Sequence, residues 1–161
     1  MIKHNIWIAA VAMLAVSAGA SAAESSGFYT THSGKSYSTT LPDGRTITVS
    51  HYYQLAKSDK ADDPITNMES NCTGRFVVSK EGKLLSASGG CFSTQPSGDG
   101  GTWWWKADEI GTANCPDLCG SFGWVEGYGS LKNAKTAGTW VRTEVHAEGS
   151  IGTYKSTYSR K

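Results

Sequence analysis

The sequence predicts an all-β protein, an antiparallel β-barrel of about eight strands that is stapled by disulfide bonds. Short segments of alternating large and small side chains recur along the chain, and turns rich in Gly, Pro, Asp or Asn separate them. No convincing amphipathic helix follows the first 22 residues, and the four cysteines are an even number. A barrel is favoured over a sandwich because closing the sheet removes exposed strand edges.

Residues 1–22 have the pattern of a secretory signal peptide. Lys3 gives a basic start, residues 6–16 form an apolar run, and the small residues A-S-A at 20–22 suit a cleavage site. The apolar run is shorter than the ~20 residues that a membrane anchor needs. We therefore expect a periplasmic or secreted protein in which residues 23–161 form a single barrel domain, with no membrane insertion after processing.

The charge of the exported chain is balanced. The full sequence has 15 Lys plus Arg against 14 Asp plus Glu, and loss of Lys3 leaves 14 of each. A chain without a basic block has no electrostatic reason to bind nucleic acid or an anionic membrane. We expect no nucleic-acid partner.

The domain begins with a polar segment and continues into its clearest strand. Residues 24–35 are rich in Ser, Thr and Gly and are expected to be extended and loosely held, while residues 35–41 suit a first strand. The sequence P-D-G at 42–44 predicts a turn, because proline presets its φ and glycine accepts positive φ. Residues 45–55 then alternate, and we expect the apolar side to face the core. That side carries Ile47, Val49, His51, Tyr53 and Leu55.

Residues 56–70 interrupt the alternation with charged residues and a proline, which predicts a polar surface loop. Three aspartates of this loop do not have the spacing of a calcium-binding loop. We therefore predict no metal there.

A hairpin follows, and its register predicts a disulfide. Cys72 and Cys91 are equally distant from the turn at 80–83, so pairing Ser79 with Leu84 places the two cysteines opposite each other. The same register gathers small and apolar residues of both strands on one face. A three-residue turn with a glycine bulge would shift this pairing by one residue.

The other two cysteines, Cys115 and Cys119, lie within C-P-D-L-C and are close enough for a small bridged loop. Export favours structural disulfides. A redox site would be expected to show C-x-x-C at a helix start, and a zinc site that recruited His51 or His146 would lack the usual paired knuckles.

Three consecutive tryptophans open the next strand. Neighbours on a strand point to opposite faces, so Trp103 and Trp105 face one way and Trp104 the other. Trp103 and Trp105 suit the wall of a pocket for an aromatic or lipidic ligand. Core packing explains them equally well.

Residues 121–146 predict two strands that are joined by a glycine-rich corner, and residues 150–159 predict a last strand that closes the sheet. In the first of these strands the bulky residues Phe122, Trp124, Glu126 and Tyr128 share a face. If that face were interior, burial would raise the pKa of Glu126 and suit it to general acid catalysis; if it were exterior, Glu126 would be solvated.

The corner G-Y-G-S-L-K-N-A-K-T-A-G-T-W at 127–140 resembles the G-x-G-x-[aromatic]-x-G-A-x-G-x-G corner of the allene oxide cyclase and dirigent barrel superfamily, including its small secreted bacterial members. Leu131 replaces the usual aromatic residue, and Asn133 and Thr136 replace glycines. The resemblance implies a barrel and a choice of two activities, isomerisation of an epoxide or orientation of phenoxy radicals, neither of which uses a bound cofactor. The corner carries no catalytic residues.

The sequence lacks a G-x-S-x-G, P-loop, H-E-x-x-H or dinucleotide motif. The leading hypothesis is an exported barrel that binds a hydrophobic or aromatic small molecule, without a cofactor or classical catalysis. The alternatives are a cyclase- or dirigent-like enzyme and a periplasmic inhibitor or envelope interaction module. Candidate catalytic residues are Glu126 and His51. Candidate ligand-binding residues are Tyr53, Trp103, Trp105, Trp124 and Tyr128.

Overall fold

A computed structural model describes residues 22–61, 63 and 65–159; the predicted signal peptide lies almost entirely outside these residues. Eight antiparallel strands form one closed barrel in which each strand pairs with its neighbours in sequence and the last pairs with the first. The predicted fold class is confirmed. No helix in this part of the chain is long and apolar enough to cross a membrane. The strands are β1 Ala23–Thr40, β2 Thr46–Ser58, β3 Met68–Val78, β4 Leu84–Thr94, β5 Gly100–Ile110, β6 Leu118–Tyr128, β7 Lys135–His146 and β8 Gly149–Ser159.

The polar leading segment is part of β1, so the expectation that it is loosely held was wrong. From residue 23 to 32 it pairs with β8, and from residue 27 onward it pairs with β2. Its small side chains suit this position between two strands: the Thr31 and Ser150 hydroxyl oxygens lie 2.8 Å apart across the β1–β8 pair. Within the described residues, β1 pairs with β8 only as far as His32, and beyond a bulge between Ser33 and Ser36 it pairs with β2.

The inward face of β2 is the opposite of the predicted one. Tyr52 pairs with Cys72 of β3, whose disulfide lies inside the barrel, and this pairing fixes which β2 side chains point inward. Tyr53 is 61% exposed on the outer face, and Leu55 is also exposed. The clear alternation predicted the strand correctly, but the apolar side faces outward, because the register with β3 places Tyr52, opposite Cys72, on the inner face.

The β3–β4 register confirms the Cys72–Cys91 disulfide. Near the turn, the amide of Ser79 donates to the carbonyl of Lys83 instead of pairing with Leu84, and Gly82 has a φ of +83°. This shift of one residue is cancelled by a bulge in β4, so the predicted register holds from Val77 towards the cysteines. The second predicted disulfide, Cys115–Cys119, is also present.

The sequence predicts that Phe122, Trp124, Glu126 and Tyr128 share one face of β6, but a bulge places them on two different faces. Trp103 pairs with Trp124 but Thr102 pairs with Glu126, which leaves Val125 as the extra residue, 67% exposed. Phe122 and Trp124 therefore face inward, while Glu126 and Tyr128 face outward. The extra residue reverses the alternation, as bulges do.

Candidate functional site

The barrel encloses a cavity of about 290 Å³. Its wall is mainly aromatic, and Trp105 lies at the centre of the aromatic contacts, with ring centroids 5.9 Å from Trp140, 6.0 Å from Phe76 and 6.3 Å from Tyr52. Since a dry cavity of roughly 150 Å³ accepts benzene, this one has room for a larger aromatic molecule. The aromatic wall consists of Tyr29, Tyr52, Phe76, Trp103, Trp105, Phe122, Trp124, Trp140 and Tyr154.

One end of the cavity is closed. Its floor includes Ile65, from the loop after β2, and Met68, at the start of β3, which are both buried. Beneath them the glycine-rich corner packs Leu131 and Ala134 into the same core cluster, and Leu131 is 1% exposed. Asn133, in a position where the resemblance expects glycine, has a φ of 69°. The corner therefore closes the floor.

The other end of the cavity opens between the β1–β2 hairpin and the β7–β8 turn. Exposed residues of both elements line it there, among them Ser33, Ser36, Val145 and His146. The short polar side chains of β1 leave a passage to solvent. A ligand is expected to enter at this end.

A polar group interrupts the aromatic wall near the open end. Arg142, on the inner face of β7, lines the cavity and forms a bidentate ion pair with Asp117, in which Nε donates to Oδ2 and Nη2 to Oδ1, the latter at 2.8 Å. The pair lowers the pKa of Asp117 and raises that of Arg142, mainly through these hydrogen bonds. The guanidinium is thus charged and fixed in direction.

Two tyrosines supply further hydroxyl groups to this wall. Burial raises the pKa of Tyr29, a shift that nearby Arg142 partly opposes, and burial also raises the pKa of Tyr52. Both phenols therefore stay protonated at neutral pH and are able to donate hydrogen bonds. Gln54, next along the inner face of β2, adds an amide to the lining.

Two buried polar atoms in the cavity wall have no hydrogen-bond partner among the described residues, the indole nitrogen of Trp105 and the hydroxyl of Tyr154. The Trp105 N–H is close enough to Tyr52 to oppose the rise in its pKa, but it does not reach hydrogen-bonding geometry. Buried donors without partners are costly. A ligand or ordered water in the cavity would satisfy the Trp105 nitrogen, whereas the Tyr154 hydroxyl lies next to Ser25 and Ser58, which do not line the cavity.

Three of the predicted ligand-binding residues line the cavity: Trp103, Trp105 and Trp124. Trp105 is buried, and Trp103 is held by a hydrogen bond of 2.6 Å from its indole nitrogen to the hydroxyl of Ser93. Trp104 is 39% exposed on the outer face, so the predicted division of the three tryptophans is confirmed.

The remaining predicted residues lie outside the cavity or at its mouth. Tyr53 is on the outer face, and Tyr128 stacks on Phe92 there, with ring centroids 5.9 Å apart. Glu126 is exposed on the outer face, so it does not have the interior position that its catalytic role would require. His51 is exposed at the mouth and pairs through Nδ1 with the hydroxyl of Thr73 at 3.1 Å, so it is not the core histidine that we expected.

Three residues of the site were not predicted from the sequence: Tyr52, Arg142 and Asp117. Tyr52 lies on the side of β2 that looks polar, and Arg142 lies among the polar residues of β7. For Arg142 a signal was present in its neighbouring glycine, because an inward glycine leaves room for large inward side chains on the adjacent strands. Gly152 pairs with Arg142 on one side and with Tyr29 on the other, and a Cβ on it would lie 2.3 Å from the Tyr29 ring.

Within the described residues, no group of three or more His, Cys, Asp or Glu side chains is placed to hold a metal ion.

No protein-family model and no curated protein matches the sequence. A solved structure of a pterocarpan synthase dirigent protein is similar to this chain, with a TM-score of 0.53 and 13% sequence identity over 94% of this chain and 98% of that one. At this identity the likeness shows the fold alone. The barrel is therefore dirigent-like in fold, as the resemblance of the corner implies.

Proposed function

We propose that this protein binds a hydrophobic or aromatic small molecule inside the barrel. The observation that carries the proposal is the open, aromatic cavity of about 290 Å³ with a few polar groups in its wall, which is the usual composition of a small-molecule site. A collapsed polar interior would have favoured an interaction module. The two disulfides and the dirigent-like fold are compatible with a periplasmic or extracellular location.

The proposal is tested by titrating the protein with naphthalenemethanol, a two-ring aromatic alcohol, in a calorimeter. The three tryptophans supply a matched pair of variants, since Trp103 faces the cavity and Trp104 faces out. Trp103→Ala is expected to weaken binding about tenfold or more, because a wall of the site is lost, and Trp104→Ala to change it less than about twofold. Equal effects, or no binding to the unaltered protein, would refute an internal site.

A second candidate is a cofactor-independent, dirigent-like enzyme. The likeness in fold to a dirigent protein favours it, and so do the Arg142 guanidinium and the protonated phenols of Tyr29 and Tyr52 in one wall. Glu126 and His51 do not support it, because Glu126 lies outside the cavity and His51 only borders its mouth. Incubating the protein with a phenol and a separate one-electron oxidant, which generates the phenoxy radicals, and comparing the coupled products with those of the oxidant alone distinguishes catalysis from binding. An unchanged product distribution would contradict the dirigent-like activity.

A further inference from the structure

Asp117 lies in a loop that holds it in a fixed position. It is enclosed by the Cys115–Cys119 disulfide, its carbonyl oxygen accepts a hydrogen bond of 2.9 Å from the amide of Gly111, and Cys115 is buried. The Asp117 carboxylate accepts hydrogen bonds from two nitrogens of Arg142. The next residue, Leu118, pairs with Arg142 in the β6–β7 ladder.

This arrangement decides what Arg142 presents to the cavity. Asp117 engages Nε and Nη2, which leaves Nη1 without a partner among the described residues. The charge of the guanidinium is balanced by the carboxylate, and the neighbouring phenols are neutral. The wall therefore offers hydrogen-bond donors without a net positive charge, although it contains an arginine.

We propose that Asp117 is a positioning residue that sets the ligand class of the cavity, making the site selective for aromatic molecules with an uncharged oxygen acceptor, such as an alcohol, phenol or carbonyl, over aromatic carboxylates. The inference rests on the proposed binding function. A carboxylate would lose its hydration on entering and meet an arginine whose charge is already neutralised. An uncharged oxygen has a smaller desolvation cost and still gains the donor.

The test compares the affinities of naphthalenemethanol and naphthoate, which share a ring system and differ in charge, at neutral pH. Asp117→Asn removes the balancing charge and is expected to shift the affinity ratio about tenfold towards naphthoate. Asp108→Asn is the matched control, because Asp108 is an exposed carboxylate that is paired with Lys106 at 2.9 Å outside the cavity. It makes the same change in net charge and is expected to leave the ratio unaltered. Asp117→Glu keeps the negative charge and is therefore expected to prefer naphthalenemethanol over naphthoate, as the unaltered protein does.

The inference would be overturned if both probes bind and their affinity ratio is the same in Asp117→Asn, in the Asp108→Asn control and in the unaltered protein. That result would leave the proposed binding function intact. Failure of both probes to bind the unaltered protein would overturn this inference and the proposed binding function.

If the Asp117→Asn substitution prevents folding, the Cys115→Ala, Cys119→Ala variant keeps the carboxylate but frees its loop. It is expected to shift the ratio in the same direction, and an unchanged ratio there would also contradict the proposal.

Discussion

At the scale of single residues, the aromatic packing around the cavity depends on glycines, which leave room for large side chains on neighbouring strands. Gly89 of β4 faces inward, and a Cβ on it would lie 2.2 Å from the carbonyl oxygen of Thr73 and 2.7 Å from the indole of Trp105. Gly90 faces outward, and its Cβ would come no closer than 3.4 Å to the carbonyl oxygen of Trp103. The strand is therefore tightly packed on one side and open on the other.

These two glycines allow a direct test. Gly89→Ala is expected to lower the free energy of unfolding by about 1–3 kcal/mol, because the methyl group forces Trp105 or the backbone to move. Gly90→Ala is expected to change it by less than about 0.5 kcal/mol. Urea denaturation measures both, and equal effects would mean that Trp105 does not pack on β4 as described.

Two inward-facing tyrosines, Tyr29, which is buried, and Tyr52, which is partly buried, give a prediction about pH. Because burial raises the pKa of Tyr29 and Tyr52 above the ordinary value of 10.0, their contribution to stability is complete below pH 10 and is lost as the pH rises above it. Tyr52→Phe is expected to retain more of its stability than the unaltered protein in that alkaline range, measured by denaturation at a series of pH values. Tyr53→Phe, at the exposed neighbouring position, is the control and is expected to follow the unaltered protein. Identical curves for all three would show that Tyr52 is not buried.

At the scale of strands, alternation predicted which side chains share a face only between bulges. It did not predict which face is inward, as β2 shows, where the register with β3 is regular but the apolar side faces outward. It placed Trp103, Trp104 and Trp105 correctly because the β4–β5 register is regular at these residues. It failed at Glu126 and Tyr128 because Val125 is an extra residue in β6, and a second bulge at Thr143 reverses the alternation in β7. The sequence shows neither bulge, since each is fixed by pairing with the neighbouring strand.

The two disulfides differ in what they hold together. Cys72–Cys91 joins β3 to β4 and closes a loop with a sequence separation of 19 residues, whereas Cys115–Cys119 closes one of 4. In the loop-entropy account, removal of the longer bridge costs about 3 kcal/mol and of the shorter about 2 kcal/mol. Denaturation of the paired Cys→Ala variants is expected to show that order. The reverse order would mean that the Cys115–Cys119 bridge stabilises the folded barrel by more than its loop entropy accounts for.

At the scale of the whole molecule, local patterns in the sequence predicted the closed barrel and both disulfides. The glycine-rich corner was recognised as a joint between strands, but its role in closing the floor through Leu131 emerged only from the tertiary packing. The cavity itself was not predictable in this way. Its volume is what remains after side chains of all eight strands have packed, and its polar wall joins Tyr29 of β1, Tyr52 of β2 and Arg142 of β7, which are distant in sequence.

If the proposed function is right, the interior of this barrel is a binding site for an aromatic molecule. The crystal structure of the protein grown with naphthalenemethanol tests it most directly. Electron density for the rings is expected inside the barrel, in contact with Trp103 and Trp105, with the hydroxyl directed towards Arg142 or Tyr52. An empty interior, or a ligand bound only on the outer face beside Trp104, would contradict it.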